Sequence, residues 1–542
     1  MSRTTTLQVV SHGRSSAIHS GRRVKSSNGS RQRLATAANP KQKPSSLRSE
    51  AGRGKPKLAS RSTKGTRPKL SKAETRSVAN QPTAIIRGAK GAEKICLPLR
   101  QARLGDALPN LMRQDVFSET TPTGEARLVL GRSGDHAAVY HSLLAIFQGP
   151  SREEFHVQTE DPFYEPTDRL LVKRGYRVLS HLQLTHRTML FGKLELPVAG
   201  FHWLGTLPEF RGQRFATRLL SEADRRIAAA GAVLGLVRTR IPRFFHRAGW
   251  ALCGRHCFSQ GKAREVLARL HSEQALRPAK PLNIRLWRHV EMPALMRIYR
   301  QNTLGAYGPL DRTEAFWRWL VGRKAYDSLL VALDGPDKLE LEESIAPIVG
   351  YTVLRNERVI ELLATPHHPN ANQQLLARAC SDAIEHNRQD LVLNAPPNHL
   401  LHRLVVAAGG RYHHQEADQN EVFMVKIGDP LKFLALIAPE LEVRAKQAGL
   451  PRDTELGLQV DGAKWRLVYT RHGFRVRSGK LGRSYLTLNR AEFTRLALGH
   501  GTVRETAFAG RLQGSTRSAL DLADILFPRL LLWRPCWDDL AV

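Results

Sequence analysis

No run of apolar residues in this sequence approaches the ~20 needed to cross a membrane, so no membrane span is expected. Residues 1–20 lack the apolar segment of a secretory leader. The cysteines are few and scattered, at 96, 253, 257, 380 and 536. An odd, dispersed set does not make a disulfide framework, and a reducing cytoplasm is the expected home. The first 94 residues have no aromatic side chain and only three acids, Glu50, Glu74 and Glu93, against 22 Lys and Arg. Such a stretch cannot bury enough apolar surface to offset chain entropy, so residues 1–94 read as a disordered basic tail. Without aromatics it cannot stack on bases. What remains open to it is non-specific polyanion contact by counterion release, or no role beyond a solvated extension. One function class, a nucleic-acid-associated protein acting through this tail, rests on that contact alone.

What is present beyond residue 95 is a chain that is long enough for several cores. The whole sequence has 542 residues, 42% of them apolar and a formal charge of +34, and a domain takes roughly 150 residues. Period-2 and period-3.6 patterns alternate, which predicts an α/β (α+β) class with mixed sheets. A first series has strands at 127–131, 169–190 (a hairpin turning at Arg174-Gly175), 194–207 and 233–238, with helices at 135–148 and 215–230. The Pro-containing stretch 260–281 reads as a boundary. A second series echoes the first: strands 283–288, 329–333, 348–354, 359–364 and 390–394, with helices up to Val321, at 373–386 and at 398–408. This similarity of order suggests a divergent internal duplication. A last unit begins near Asp429, with short strands 456–460, 464–469, 473–477 and 484–488 followed by helices 490–498, 503–509 and 515–526.

The segment with the clearest chemistry is Leu204-Gly205-Thr206-Leu207-Pro208-Glu209-Phe210-Arg211-Gly212-Gln213-Arg214-Phe215-Ala216-Thr217. A strand passes through a Pro-started loop into a helix. The first helical turn has N–H groups without intrahelical acceptors and the positive end of the dipole, which together suit a pyrophosphate. Gly212 permits close backbone approach, Ala216 keeps the turn slim, and Arg211 and Arg214 add positive charge. About 25 residues on comes Pro242-Arg243-Phe244-Phe245-His246-Arg247-Ala248-Gly249-Trp250.

This pairing resembles the GNAT acetyltransferases, whose Arg-Gly-x-Gly-x-Ala/Gly loop cradles coenzyme A and whose Phe-Tyr-x-x-x-Gly-Phe segment closes the site. The wider plan resembles the enhanced-intracellular-survival (Eis-like) branch, which joins two GNAT-type domains to a sterol-carrier-protein-like domain. The resemblance implies a GNAT domain over 95–275, a degenerate one over 280–427 and a sterol-carrier-like unit over 428–542. It implies acetyl-CoA as co-substrate, no metal, and transfer of acetyl to an amine on a small molecule, a protein lysine or an N-terminus. Self-association is a further expectation. Leu204, Gly205 and Thr206 would pair with the pantetheine, and Arg211, Gly212, Gln213, Arg214, Phe215, Ala216 and Thr217 would hold the pyrophosphate. Two positions depart from the family. Arg214 stands where a glycine is usual, which a helix-compatible residue would tolerate. Phe245 stands where the family has the tyrosine that protonates the departing thiolate. His246 or water would have to act in its place, and a catalytically idle scaffold binding acyl-CoA or a partner is the rival reading. By the same resemblance, the C-terminal carboxylate, here Val542, reaches the site as base.

Other residues carry two readings each. Glu153, Glu154, Asp161 and Tyr164 lie in an acidic, aromatic stretch that could attract an amine-bearing acceptor; equally, it could be a solvated helix start and loop. His202, on the strand before the loop, is a candidate base or a histidine at the core edge. Cys253, His256 and Cys257 lack the fourth ligand and the spacing of a zinc site, and read as a strand and turn. In the second series the equivalent turn, Thr365–Gln373, has Pro366 and Pro369 and no glycine. It offers few N–H donors, so this unit is expected to be structural or to wall the acceptor site.

Overall fold

The computed structural model describes residues 125–276, 279–335, 337, 347–418 and 421–539. The basic tail 1–94 and Val542 lie outside these residues. The class is mixed α/β, built on three sheets.

The first series follows its sequence pattern closely. It comprises β1 (Arg127–Leu130), α1 (His136–Phe147), α2 (Arg152–Thr159), β2 (Arg169–Arg174), β3 (Arg177–Phe191), β4 (Leu194–Thr206), α3 (Phe215–Ala229), β5 (Leu234–Thr239), α4 (Pro242–Arg247) and β6 (Ala251–Leu252). Strands β1 to β5 lie side by side in chain order, antiparallel except for the parallel β4–β5 pair. Leu219, Leu220, Ala223 and Ile227 of α3 are buried at helical spacing against this sheet.

The chain then leaves its own sheet. β7 (His256–Lys262) runs into α5 (Ala263–Leu276), the stretch read from sequence as a boundary. After them come β8 (Asn283–Leu286), α6 (Met292–Thr303), β9 (Tyr307–Leu310), α7 (Glu314–Gly322), β10 (Ser328–Leu333), β11 (Ile348–Arg355), β12 (Arg358–Ala364), α8 (Pro369–Glu385), β13 (Asp390–Leu393), α9 (Leu400–Ala407), β14 (Arg411–Gln415), β15 (Ala417–Asp418) and β16 (Glu421–Ile427). The second sheet has the order β14-β7-β13-β12-β11-β10-β8, so β7 of the first series sits between two strands of the second. Reciprocally, β16 pairs with β5 and β6, and β9 pairs with β3. The sheets therefore exchange strands across the 275–280 boundary expected from sequence. Each exchanged strand covers a strand edge that the other series leaves open.

The last series opens with a helix that the sequence reading passed over, α10 (Pro430–Gln447), capped by the Asp429 side chain and started by Pro430. It continues with β17 (Glu455–Val460), β18 (Ala463–Thr470), β19 (Gly473–Ser478), β20 (Tyr485–Leu488), α11 (Arg490–Ala497), α12 (Val503–Phe508), β21 (Leu512–Gly514), α13 (Arg517–Leu526) and the short α14 (Cys536–Asp539). The third sheet runs β19-β18-β17-β20-β21. One core spans the face of the first sheet (Leu196, Val198, Leu236, Val425), α10 (Phe433, Ile437, Leu441) and the third sheet (Leu456, Leu467, Leu486). The C-terminal segment crosses to the second series, where Trp537 is fully buried. There Arg312, with no exposed side-chain surface, bonds Glu361 (2.9 and 2.6 Å) and Asp538 (2.8 Å), and Tyr351 donates to Glu361 at 2.6 Å.

Candidate active site

The first sheet has a gap at its centre. β4 pairs with β5 only from Val198↔Leu234 to Phe201↔Val237, yet continues to Thr206. Past Phe201 the edge of β4 that faces β5 has no strand partner among the described residues, which leaves backbone groups for a bound chain. The register against β3 shifts at the same place, between His181 and Gln183, and Trp203 adopts a left-handed φ of +55°. Buried groups hold this irregularity. His181 contacts the Trp203 carbonyl through Nδ1 (3.0 Å) and Arg169 Nη1 through Nε2 (3.1 Å). Because arginine only donates, Nε2 accepts and the Nδ1–H donates to Trp203. Burial, aided by the Arg169 charge, pushes the His181 pKa down to about 3 and keeps the ring neutral. Arg169 Nε in turn donates to Tyr164 Oη (2.8 Å), which lies 2.8 Å from His136 Nε2.

The loop after β4 ends the gap. Pro208–Phe210 form one helical turn, Arg211 reaches back to the Thr206 carbonyl (Nε···O 3.4 Å), and Gly212 has φ +82°. A Cβ on Gly212 would meet nothing within 4 Å, so backbone conformation, not room, makes the glycine necessary. Arg214 is the N-cap of α3 with φ +59° and no side-chain cap bond. The sequence reading took a helix-compatible residue to be tolerable here, but Arg214 holds the left-handed conformation for which a glycine is better suited. The first intrahelical bond runs from Arg218 N to Arg214 O (3.0 Å), so the N–H groups of Phe215, Ala216 and Thr217 have no acceptor within the helix. Arg174 and Arg177 stack on Phe210 (5.4 and 5.2 Å), and Arg177 pairs with Glu209. Exposed Arg211 and Arg214 leave the helix start positive, a fit for a phosphate group.

Behind α3, Phe245 is 2% exposed and packs edge-on against Phe244 (5.2 Å) and Trp250 (5.4 Å). Its neighbour His246 is exposed on the outer side of α4.

The opposite face of the sheet carries His202, whose Nε2 is 3.1 Å from Thr185 Oγ1. Its ring opens to solvent from a crowded recess. Loss of hydration there, with Arg534 and Arg187 nearby, pushes its pKa down to about 4. Continuing the β4–β5 register by one step sets His202 across the gap from Arg238. Arg187 pairs with buried Asp161 and lies between the rings of Phe163 (5.0 Å) and Phe316 (4.8 Å), the latter from the second series.

The acidic stretch is mostly occupied by its own architecture. Ser151 and Glu154 form a reciprocal capping box for α2, and Glu153 is exposed on the first turn. Asp161 also accepts from Phe163 N (3.0 Å), and buried Asp168 lies 3.5 Å from His186. The structure thus brings His202, Arg187 and Asp161 to one face, and places residues 211–217 at the end of the gap. His246 is on neither. Sequence reasoning missed His181 and Arg169, which look like ordinary strand residues. Among the described residues, no group of three or more His, Cys, Asp or Glu is placed to hold a metal ion.

Residues 130–253 match the acetyltransferase (GNAT) domain family. No curated protein matches the sequence. Among solved structures, a probable N-acyltransferase of Enterococcus faecalis V583, itself of unknown function, is similar at 14% identity, with a TM-score of 0.58 over 76% of this chain and 98% of that one. A GCN5-related N-acetyltransferase from Anabaena variabilis ATCC 29413 is similar at 17% identity and TM-score 0.58, covering 75% and 98%. Eis1 from Mycobacterium abscessus is similar at 15% identity and TM-score 0.52, covering 76% and 99%. A GNAT acetyltransferase domain is thus present at 130–253, and the described chain shares the fold of these proteins.

Proposed function

We propose that the protein is an acetyltransferase that moves the acetyl group of acetyl-CoA to an amine. The observation that carries this reading is the gap between β4 and β5 ending at an uncapped, positive helix start, inside a domain that matches the GNAT family. The unpaired edge at 204–206 would bond the pantetheine amides, and the N–H groups of residues 215–217, with Arg211 and Arg214, would hold the pyrophosphate. The amine nitrogen attacks the thioester carbonyl. The N–C bond forms, the C–S bond breaks, the nitrogen loses a proton and the sulfur leaves as thiolate, which takes a proton from water. Phe245 has no proton to give. His202, on the acceptor face of the sheet, would take the amine proton. Residues 428–542 are the sterol-carrier-like unit of this plan, and the second series supplies acceptor-side walls such as Phe316.

Acetyl-CoA at 100 times its Kd should stabilise the protein by about 2.7 kcal/mol, and thiol release should depend on an added amine. Gly212→Asp should abolish the stabilisation while retaining the far-UV circular dichroism, because a carboxylate would stand beside the pyrophosphate. No thermal shift with acetyl-CoA in the wild type would overturn the reading. Binding without turnover across a broad amine panel would leave the idle-scaffold alternative.

A further inference from the structure

The β2–β3 hairpin and the loop before α3 meet at one end of the first sheet, because β3 pairs with β4 as far as Ser180↔Thr206. Arg174 and Arg177 flank the turn Gly175-Tyr176 and stand directly opposite each other in the register. Like charges in that relation weaken a hairpin. Both guanidinium groups are nevertheless held over a single ring, that of Phe210 (5.4 and 5.2 Å). Phe210 itself packs against the buried cluster of the first sheet, so the platform under the two arginines is anchored in the core.

Their charge is poorly matched within the chain. Glu209 pairs with Arg177, and Arg174 has no acidic partner among the described residues. Arg211 donates to the uncharged Thr206 carbonyl, and Arg214 makes no ion pair among the described residues. Four arginines and one carboxylate therefore surround this loop. The pyrophosphate accounts for Arg211 and Arg214, which share the loop with the free N–H groups of α3. It leaves Arg174 and Arg177, on a different element, without a ligand.

The coenzyme of the proposed reaction carries a further and more highly charged phosphate. Each phosphorus of its pyrophosphate diester bears a single negative charge. The 3′-phosphate of its ribose is a monoester, with a charge of about −1.5 to −2 at pH 7 and three acceptor oxygens. A guanidinium presents forked N–H donors that match phosphate oxygens, and stacking on a ring face leaves those edges free.

We infer that Arg174 and Arg177 form the binding site for the 3′-phosphate of coenzyme A, so that the protein selects coenzyme A over its dephospho form. The inference rests on the acetyltransferase reading above and deepens it by a second anion site outside the α3 loop. Arg174 is the principal contact. Glu209 holds Arg177 over the loop and competes with the phosphate for it.

Calorimetric titration of the full chain with coenzyme A and with dephospho-coenzyme A tests this. The wild type should bind coenzyme A at least tenfold more tightly. Arg174→Gln should weaken coenzyme A about tenfold and leave dephospho-coenzyme A within twofold, and Arg174→Lys should recover part of the loss. Glu209→Gln should act in the opposite sense, tightening coenzyme A without affecting the dephospho form. Equal affinity of the wild type for the two ligands overturns the inference and leaves the acetyltransferase reading standing. An Arg174→Gln loss common to both ligands also overturns it, since a general effect on the loop would do the same. If selectivity survives Arg174→Gln and is lost in Arg243→Gln, on α4 beyond β5, the 3′-phosphate lies there and the assignment to the hairpin falls. If neither ligand binds the wild type, the acetyltransferase reading falls and this inference with it.

Discussion

Arg214 is the residue where sequence and structure part most plainly. Its side chain suits a phosphate loop, but its backbone sits at φ +59°, a conformation that costs a non-glycine residue roughly 1–2 kcal/mol. An arginine itself gives no signal for left-handed backbone; the one hint was that the resembled family has a glycine at this position. Arg214→Gly should therefore stabilise the protein by ~1 kcal/mol, read as an upward shift of Tm. If backbone N–H groups do most of the phosphate binding, acetyl-CoA affinity should fall less than tenfold. A loss of stability would mean that the guanidinium makes a compensating contact. His181 shows the same limit of legibility. As a residue of a strand it was unremarkable, and its hydrogen bond to Trp203 exists only because a register shift turns that carbonyl toward it. Gly212 was read as permitting close backbone approach, and the structure gives a different reason for the glycine, a φ of +82° with open space where a Cβ would sit.

Among elements, the ones that were legible formed local patterns. α3 ends within one residue of its expected bounds because its apolar spacing and the Gly231 after it are contained in the segment itself. α2 was read either as an acidic acceptor stretch or as a solvated helix start and loop, and the capping box Ser151-x-x-Glu154 bears out the helix start. Ser151→Ala should cost about 1 kcal/mol by removing the cap. Because Phe155 of α2 packs against the Arg169 guanidinium (4.8 Å), the same change should loosen the Tyr164–Arg169 contact, measurable as faster amide exchange in 152–159. The exchanged strands β7 and β16 were not legible. Their partners lie more than 130 residues away in several pairings, and no local periodicity specifies which sheet an apolar strand will join.

For the whole molecule, strand exchange makes the units interdependent. A fragment of residues 125–252 would leave the edge of β5 bare and expose Leu234 and Leu236, which the complete chain covers with β16 and the third unit. It should be aggregation-prone or lack near-UV circular dichroism; a monomeric, cooperatively unfolding fragment would show that the exchange is dispensable. Acid sensitivity has a similarly distributed origin. His181 and His500 are buried neutral, with pKa values pushed down to about 3 and about 4, chiefly by loss of hydration. In the unfolded chain each titrates near 6.5, so between 6.5 and the folded value the unfolded state binds a proton that the folded state refuses. Stability is then complete above about pH 6.5 and falls as pH decreases, by up to about 1.4 kcal/mol per pH unit for each such histidine. From pH 7 to pH 5 one fully buried histidine contributes a loss of about 2 kcal/mol on this basis. Urea unfolding of the wild type should show at least that loss, while His181→Gln, whatever its stability at pH 7, should lose about 2 kcal/mol less over the same interval. Equal losses in the two proteins would mean that His181 accepts a proton in the folded state. The neutral ring that holds the Trp203 carbonyl beside the gap would then be protonated in mild acid, and Arg169 Nη1 would have no acceptor there.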